Sequence, residues 1–139
     1  MNLERAIEIA VDAHAGVKDR GGKAYILHPL SVMMRVETEE EKIVAVLHDV
    51  IEDTNWTFAN LRGEGFSEDI IDALTSVTKT SEDESYSQFV LRAKNNKIGR
   101  KVKIADLKEN MDVTRLGALT DEDTARINKY KEALHLLTN

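Results

Sequence analysis

The sequence has no cysteine, a single proline and only seven glycines among its 139 residues. Without cysteine, the chain can form neither a disulfide nor a metal site built on thiolates. Because proline and glycine are the residues that most often end helices and form turns, their scarcity leaves room for long helices. No segment alternates apolar and polar residues over a useful length, so strands are not predicted.

Long apolar runs and an excess of positive charge are also missing. No apolar stretch approaches the roughly 20 residues that a membrane-spanning helix needs, and the first residues lack the basic and apolar regions of a signal peptide. The formal net charge of -6 argues against nucleic acid polymers, which require a basic surface. A small phosphorylated ligand stays possible, because a metal ion or a local group of cations is sufficient for it. We therefore expect a cytoplasmic protein that contacts neither a membrane nor a nucleic acid polymer.

Apolar residues recur at helical spacing along most of the chain. This periodicity predicts an all-α fold. The absence of an internal repeat, a low-complexity tract or a linker predicts one domain over residues 1–139, a length sufficient for a hydrophobic core. The oligomeric state is left open, and a homo-oligomer is possible. Helices are predicted over residues 3–15, 30–36, 39–51, 57–61, 67–78, 86–94, 97–112 and 120–137.

The most informative stretch is His-Asp-Val-Ile-Glu-Asp at residues 48–53, where the apolar helix predicted over residues 39–51 ends. Its three carboxylates would oppose the helix dipole, at roughly 0.3–1 kcal/mol each, and would repel one another. A nearby cation would remove both penalties, and a neighbouring histidine and aspartate can converge on one divalent metal ion. The alternative for this stretch alone is a solvated helix end with ordinary acidic residues.

Two further segments contain residue types that bind metal ions. His28 precedes Pro29. Proline favours the first helical position and disfavours a helical conformation in the residue before it, so we expect His28 at the mouth of a helix. Asp106 and Asn110 are four residues apart on one face of a predicted helix, and a carboxylate on a partly buried helix needs a partner. Taken alone, a histidine at this position is more often a helix cap or a core residue than a metal ligand.

Together these segments follow a family pattern. The chain resembles the HD superfamily of metal-dependent phosphohydrolases, and specifically the hydrolase domain of the RelA/SpoT alarmone enzymes. The resemblance extends over nearly the whole chain and depends chiefly on Tyr-Ile-x-His-Pro at residues 25–29 and His-Asp-x-x-Glu-Asp-Thr at residues 48–54. It implies a compact multi-helix HD fold. Because no synthetase segment follows in this sequence, we expect a stand-alone hydrolase.

The resemblance implies a metal centre formed by His28, His48, Asp49 and Asp106. Two imidazoles and two carboxylates suit Mn²⁺, Fe²⁺, Co²⁺ or Zn²⁺ better than Mg²⁺, and the resemblance favours Mn²⁺. Such an ion lowers the pKa of a bound water and polarises a phosphorus centre. One divalent transition metal ion is therefore the expected cofactor.

Glu52 and Asp53 are the predicted catalytic residues. On a continuous helix, Glu52 follows His48 by four residues and Asp53 follows Asp49 by four, so both acids would face the metal. There they can orient the attacking water or shuttle its proton, which is the task that the resemblance assigns to this Glu-Asp pair. The alternative for Asp53 is a residue of a helix-ending turn.

Substrate contacts are predicted in the loop of residues 16–24 and on the helix of residues 97–112. Arg20 and Lys23 are cations among glycines, and an arginine can bind phosphate or stack on a base. The resembled hydrolases usually have Arg-Lys where this chain has Asp19-Arg20, which is a departure at the expected purine contact. Asn110 matches the asparagine that the family places near the ribose.

The function predicted from the sequence is Mn²⁺-dependent hydrolysis of the 3′-pyrophosphate of (p)ppGpp, the alarmone of the stringent response, to GDP or GTP and pyrophosphate. One alternative is hydrolysis of another nucleotide or phosphoester at the same site, and Asp19 favours it. The other alternative is a domain that binds a nucleotide or a protein without catalysis. The retained metal ligands and the Glu52–Asp53 pair argue against this last alternative.

Overall fold

The computed structural model describes residues 1–114 and 117–139, and the regular structure of these two segments is helical. One isolated antiparallel bridge joins Lys18 and Ala24 across the loop between the first two helices. The all-α prediction is therefore confirmed. No helix in these segments combines the length and the apolar character needed to cross a membrane. The helices are α1 (Leu3–Ala13), α2 (Leu27–Met34), α3 (Glu39–Leu47), α4 (Val50–Asp53), α5 (Phe58–Gly63), α6 (Glu68–Ser76), α7 (Tyr86–Lys94), α8 (Lys97–Asn110) and α9 (Asp121–Thr138).

Side-chain caps determine where several helices begin. The hydroxyls of Thr57, Ser67 and Thr120 each accept a hydrogen bond from the backbone N–H three residues further on. Each bond satisfies one of the amides that the first turn of a helix leaves unpaired. Thr38 and Glu41 form a complete capping box at the beginning of α3. These helix beginnings follow from local sequence alone.

Helix α3 lies at the centre of the larger hydrophobic core. Residues 43–47 are all buried, and a helix that is apolar on all sides is typical of a position surrounded by other elements. Helices α1, α2, α6 and α8 pack against it. Gly99 permits a close approach of α8 to α6, because a Cβ atom there would lie 2.0 Å from Ser76 Oγ. This packing brings α2, α3 and α8 to a common meeting point.

A smaller core attaches the C-terminal helix α9 to α7 and α8. Four buried residues form it, namely Val90, Leu107, Ala133 and Leu137. Tyr86 and Tyr130 pack at its margin, half buried. Because α8 contributes to both cores, the face of α9 that carries Tyr130 lies beside the part of α8 that carries Asp106.

Several helix ends differ from the sequence prediction by one or two residues, and two larger differences affect the predicted metal ligands. The helix predicted to continue to residue 51 ends at Leu47, and a turn at His48 and Asp49 separates it from α4. The apolar residues keep helical spacing across this break, so periodicity does not detect it. Helix α2 begins at Leu27 rather than at residue 30, and His28 therefore lies inside its first turn. Pro29 loses no hydrogen bond there, because the first four amides of a helix have no intrahelical acceptor.

Candidate metal centre

Four side chains from three parts of the chain converge. His28 comes from α2, His48 and Asp49 come from the turn after α3, and Asp106 comes from α8. Nε2 of His28 lies 2.8 Å from Oδ1 of Asp106. Nε2 of His48 lies 3.4 Å from the same oxygen and 3.1 Å from Oδ2 of Asp49. The structure thus brings together the four residues predicted as metal ligands.

The break after α3 allows two neighbouring residues to face the same point. In a continuous helix, successive side chains diverge by about 100° around the axis. The turn at His48 and Asp49 relaxes this restriction, and their donor atoms and that of His28 all lie within 4.8 Å of one another. Nδ1 of His48 lies 2.5 Å from the Ala45 carbonyl oxygen. A carbonyl can only accept, so Nδ1 carries a hydrogen and Nε2 is directed toward the carboxylates.

The Nε2 atom of His48 indicates that a metal ion fits here. His48 is 4% exposed, and within residues 1–114 and 117–139 its Nε2 has no hydrogen-bond partner of acceptable geometry. A buried polar atom in this condition costs about 1–3 kcal/mol. A divalent cation at this point would satisfy the nitrogen and the carboxylates of Asp49 and Asp106 at the same time. Two imidazoles and two carboxylates are a suitable donor set for such an ion.

The electrostatics of the site also favour a cation. Burial opposes the charged form of His48, but the carboxylates of Asp49 and Asp106 outweigh it and raise the pKa of the imidazole well above its usual value. Burial likewise opposes the ionised form of Asp106, yet His48 and His28 hold the pKa of this carboxyl well below its usual range. The site therefore stabilises positive charge strongly. Protons and a metal ion compete for it, as in metal sites generally.

Two further side chains hold the carboxylates in place. The Tyr25 hydroxyl donates a hydrogen bond to Oδ2 of Asp49, and burial keeps that hydroxyl protonated by raising its pKa. The Asn110 amide donates to Oδ1 of Asp106 over 3.2 Å. Outer contacts of this kind orient metal ligands. The predicted contact of Asn110 with a ribose stays a prediction, and the residue lines the cavity where such a contact is possible.

A cavity of ≈ 530 Å³ opens onto the candidate ligands, with His28, Asp49 and Asp106 in its wall. This volume lies within the usual range for small-molecule sites. Five cations also line it: Lys18, Arg20, Lys103, Arg126 and Lys129. Five carboxylates line it as well: Asp19, Asp49, Glu52, Asp106 and Asp112. A phosphorylated ligand would therefore be bound by individual cations and by a metal ion rather than by an overall positive surface.

The two predicted catalytic acids occupy different positions. Glu52 lines the cavity, and its Oε1 accepts a hydrogen bond of 2.6 Å from the Lys79 backbone N–H. Asp53 instead lines a neighbouring cleft beside Ala13 and Trp56. The continuous helix on which both acids would face the metal is interrupted at His48, so that part of the prediction is wrong. Their catalytic roles stay predictions.

Only one of the two cations predicted to bind substrate in the loop between α1 and α2 reaches the cavity. Arg20 lines it, and Asp19 lines it beside Arg20. Lys23 is exposed and is not among the lining residues. Its backbone N–H donates to Oδ1 of Asp19 over 3.0 Å, so Lys23 has a part in closing the loop.

Some cavity residues escaped the sequence analysis. Nζ of Lys103 lies 3.5 Å from Oδ2 of Asp106, and the spacing of three residues on one helix was a usable signal for this pair. Arg126, Lys129 and Tyr130 reach the cavity from α9. No local pattern marks them, because only the packing of α9 on the smaller core brings them to the site.

Asp53 should destabilise the metal-free protein at neutral pH. Burial, followed by the charges of Asp49 and Glu52, raises its pKa to about 6. The folded state therefore binds this proton more tightly than the unfolded chain, and the free energy of unfolding falls as the pH rises from about 4 to about 6. Asp53→Asn removes the free-energy cost of ionising this carboxyl in the folded state. It should raise stability at pH 8 by about 1 kcal/mol, after solvent screening of this partly exposed group, and the gain should fade toward pH 4.

Urea unfolding of chelator-treated protein at pH 4.5 and pH 8 measures this difference. Asp72→Asn on α6, which also removes an exposed carboxylate, is the matched control and should show no such gain. Equal stability of wild type and Asp53→Asn at pH 8 would contradict the expectation.

Comparison with known proteins finds relatives by sequence, although no protein-family model matches the chain. The chain is 29% identical over 138 residues to the guanosine-3′,5′-bis(diphosphate) 3′-pyrophosphohydrolase of Aquifex aeolicus. This alignment covers 91% of the present chain and 19% of the Aquifex protein. It is 32% identical over 134 residues to the protein of the same name from Haemophilus influenzae, covering 87% of this chain and 20% of that protein. The chain thus spans about a fifth of the length of these curated relatives.

A solved structure shares the fold. It is that of a metazoan ortholog of SpoT, described as hydrolysing ppGpp and playing a role in starvation responses. The TM-score is 0.77 at 20% sequence identity, over 95% of this chain and 82% of that one. The fold, the matches along the sequence and the convergence of His28, His48, Asp49 and Asp106 agree. The chain therefore belongs to the HD domains of the RelA/SpoT type.

Proposed function

We propose that the chain is a metal-dependent phosphohydrolase that removes the 3′-pyrophosphate of (p)ppGpp, with GDP or GTP and pyrophosphate as products. The observation that carries the proposal is the convergence of His28, His48 and Asp49, with Nε2 of His48 satisfied by no described residue, at a cavity that five cations help to line. The names of the curated relatives describe the same reaction.

Different residues of the chain would bind the metal ion and transfer the proton. An ion held by His28, His48, Asp49 and Asp106 would polarise the scissile phosphoryl group and lower the pKa of a coordinated water. Glu52 is fixed through Oε1 by the Lys79 amide, and its other oxygen is available to accept the proton of the attacking water. Asp53, with a pKa of about 6, can exchange a proton near neutral pH.

The substrate would be held by its charges and by its ribose. Arg20 and Lys103 line the cavity, Lys103 beside Asp106, and both would neutralise phosphate oxygens. Asn110 would contact the ribose with the donor that Asp106 leaves available. Among the divalent metals that suit this donor set, we propose Mn²⁺.

A second candidate is hydrolysis of another nucleotide or phosphoester by the same metal centre. The observation that favours it is Asp19, which lines the cavity beside Arg20 and places a carboxylate where a purine contact is expected. A carboxylate there changes the hydrogen-bonding groups offered to a base, while the metal ligands are unaffected.

Incubation of the purified chain with Mn²⁺ and ppGpp tests the proposal. GDP and pyrophosphate should appear in equal amounts by anion-exchange chromatography, and chelation should abolish the reaction. GDP and GTP, which lack a 3′-phosphate, should be poor substrates. Release of inorganic phosphate from simple nucleoside phosphates with ppGpp left intact would reject the alarmone substrate and favour the second candidate.

A further inference from the structure

Tyr86 carries a hydroxyl that no described residue of the protein satisfies. Tyr86 is the first residue of α7 and lines the cavity. Its Oη is buried and forms no hydrogen bond with any residue in 1–114 or 117–139. Burial, followed by Tyr130 and Asp106, raises its pKa to about 12. The group therefore remains a hydrogen-bond donor at neutral pH, and the partner that suits it is an acceptor, best of all an anionic oxygen.

Lys129 places a positive charge over the same ring. Its Nζ lies 4.0 Å from the centroid of the Tyr86 ring, and Nζ of Lys103 lies 6.0 Å from it. Lys103 is also 3.5 Å from Oδ2 of Asp106, so part of its charge is offset by a candidate metal ligand. No carboxylate in the described part of the chain forms an ion pair with Lys129. At the Tyr86 ring, the cavity therefore offers a hydrogen-bond donor and a cation that pairs with no described carboxylate.

Lys103 lies near both the predicted metal ligands and the Tyr86 ring. It contacts Asp106 on one side and faces the Tyr86 ring on the other. A ligand with one anionic group at the metal ligands and a second anionic group beside the Tyr86 ring would therefore lie against Lys103 between the two groups. Neither Tyr86 nor Lys129 lies in the Tyr-Ile-x-His-Pro or His-Asp-x-x-Glu-Asp-Thr strings that place the chain in its family.

We propose that Tyr86 and Lys129 bind the 5′-phosphate chain of the substrate while its 3′-pyrophosphate lies at the metal ligands. This inference rests on the proposed function and adds the feature that sets specificity. A metal centre alone accepts many phosphoesters, whereas a second anion site selects nucleotides that are phosphorylated at both the 3′ and the 5′ position. Removing this second site should therefore cost affinity only for substrates that carry 5′-phosphates.

Kinetics on two substrates tests the assignment. With Mn²⁺, Lys129→Ala and Tyr86→Phe should each lower kcat/KM for ppGpp about tenfold, mainly through KM, because the contact is made equally in the ground and transition states. Both variants should retain the wild-type kcat/KM for guanosine 3′-diphosphate, which has no 5′-phosphate. Lys131→Ala, an exposed lysine on the same helix, should match wild type on both substrates. Equal losses on the two substrates, or no loss on ppGpp, would overturn the inference.

Calorimetric binding of GDP and of guanosine to chelator-treated protein separates this inference from the proposed function. GDP carries only 5′-phosphates, so both variants should bind it about tenfold more weakly than wild type and should bind guanosine unchanged. If the variants show this weaker GDP binding but the wild-type protein does not hydrolyse ppGpp, the proposed function is rejected and the inference is retained. Hydrolysis of ppGpp with unchanged GDP affinity in both variants would overturn the inference alone. Lys129 is exposed, so its variant tests the inference even if Tyr86→Phe unfolds.

Discussion

Replacing His48 with alanine should leave the protein without its metal ion and without measurable turnover. His48 is buried, contacts both Asp49 and Asp106, and supplies the Nε2 atom that no described residue satisfies. Its loss leaves His28, which contacts Asp106, as the remaining predicted histidine ligand. Metal content after reconstitution with Mn²⁺ and dialysis should fall from about one equivalent to less than a tenth. The kcat should fall about 10³-fold or more, since the electrostatic stabilisation supplied by the ion is lost.

The control is His135→Ala, because His135 is an exposed histidine near the end of α9. It should keep both metal and activity. Elemental analysis gives the metal content, and the thermal midpoint gives an independent measure, because an ion that binds only the folded state raises that midpoint. Mn²⁺ should stabilise wild type and His135→Ala but not His48→Ala. Full metal occupancy in His48→Ala would reject the assigned centre.

Glu52→Gln should keep the metal ion and lose most of the turnover. Glu52 lines the cavity but is not among the converging donor atoms, and its backbone contact with Lys79 fixes its direction. Glutamine has nearly the same shape and can still accept the Lys79 bond, but it cannot take up a proton at neutral pH. General base catalysis typically contributes about 10²–10⁴-fold, so kcat should fall by that amount with KM little changed. Asp53→Asn should likewise keep the metal and lose turnover.

Glu82→Gln, a change of an exposed glutamate in the loop that follows Lys79, is the matched control. It should be indistinguishable from wild type in metal content and rate. If Glu52→Gln and Asp53→Asn both turn over at the wild-type rate, the acid–base roles are wrong even where the metal result is as expected. Loss of the metal ion in Glu52→Gln would instead identify Glu52 as a ligand.

Sequence reasoning predicted the parts of this protein that local chemistry determines. Caps at Thr57, Ser67 and Thr120 place helix beginnings, because the hydrogen bond of each cap lies within a few residues. The sequence motifs shared with the family identified the candidate metal ligands, and these residues lie together in the structure. A string alone does not show how far apart His28 and Asp106 lie, because 78 residues separate them along the chain.

The incorrect and missing predictions share one physical cause, which is packing between segments that are distant in the sequence. The break at His48 leaves apolar spacing intact, so periodicity predicted one helix where there are two. Asp53 then faces a cleft beside Trp56 instead of the main cavity. Lys129 and Tyr86 lie in segments without a motif and meet only because α7 and α9 share a small core. Such contacts depend on tertiary structure that no window of the sequence contains.

The two cores differ in how firmly they hold the residues that line the cavity. Three of the candidate ligands lie on or directly after α2 and α3, which the larger core holds, whereas Arg126 and Lys129 lie on α9, which four buried side chains attach to α7 and α8. Segments with few buried contacts open at a lower free energy than the whole fold. We therefore expect α9 to detach at a lower free energy than α2 and α3, which would widen the cavity without displacing these three ligands. Under the proposed function, the side chains that would bind the nucleotide phosphates on α9 would move in this opening, whereas these three predicted metal ligands would keep their positions.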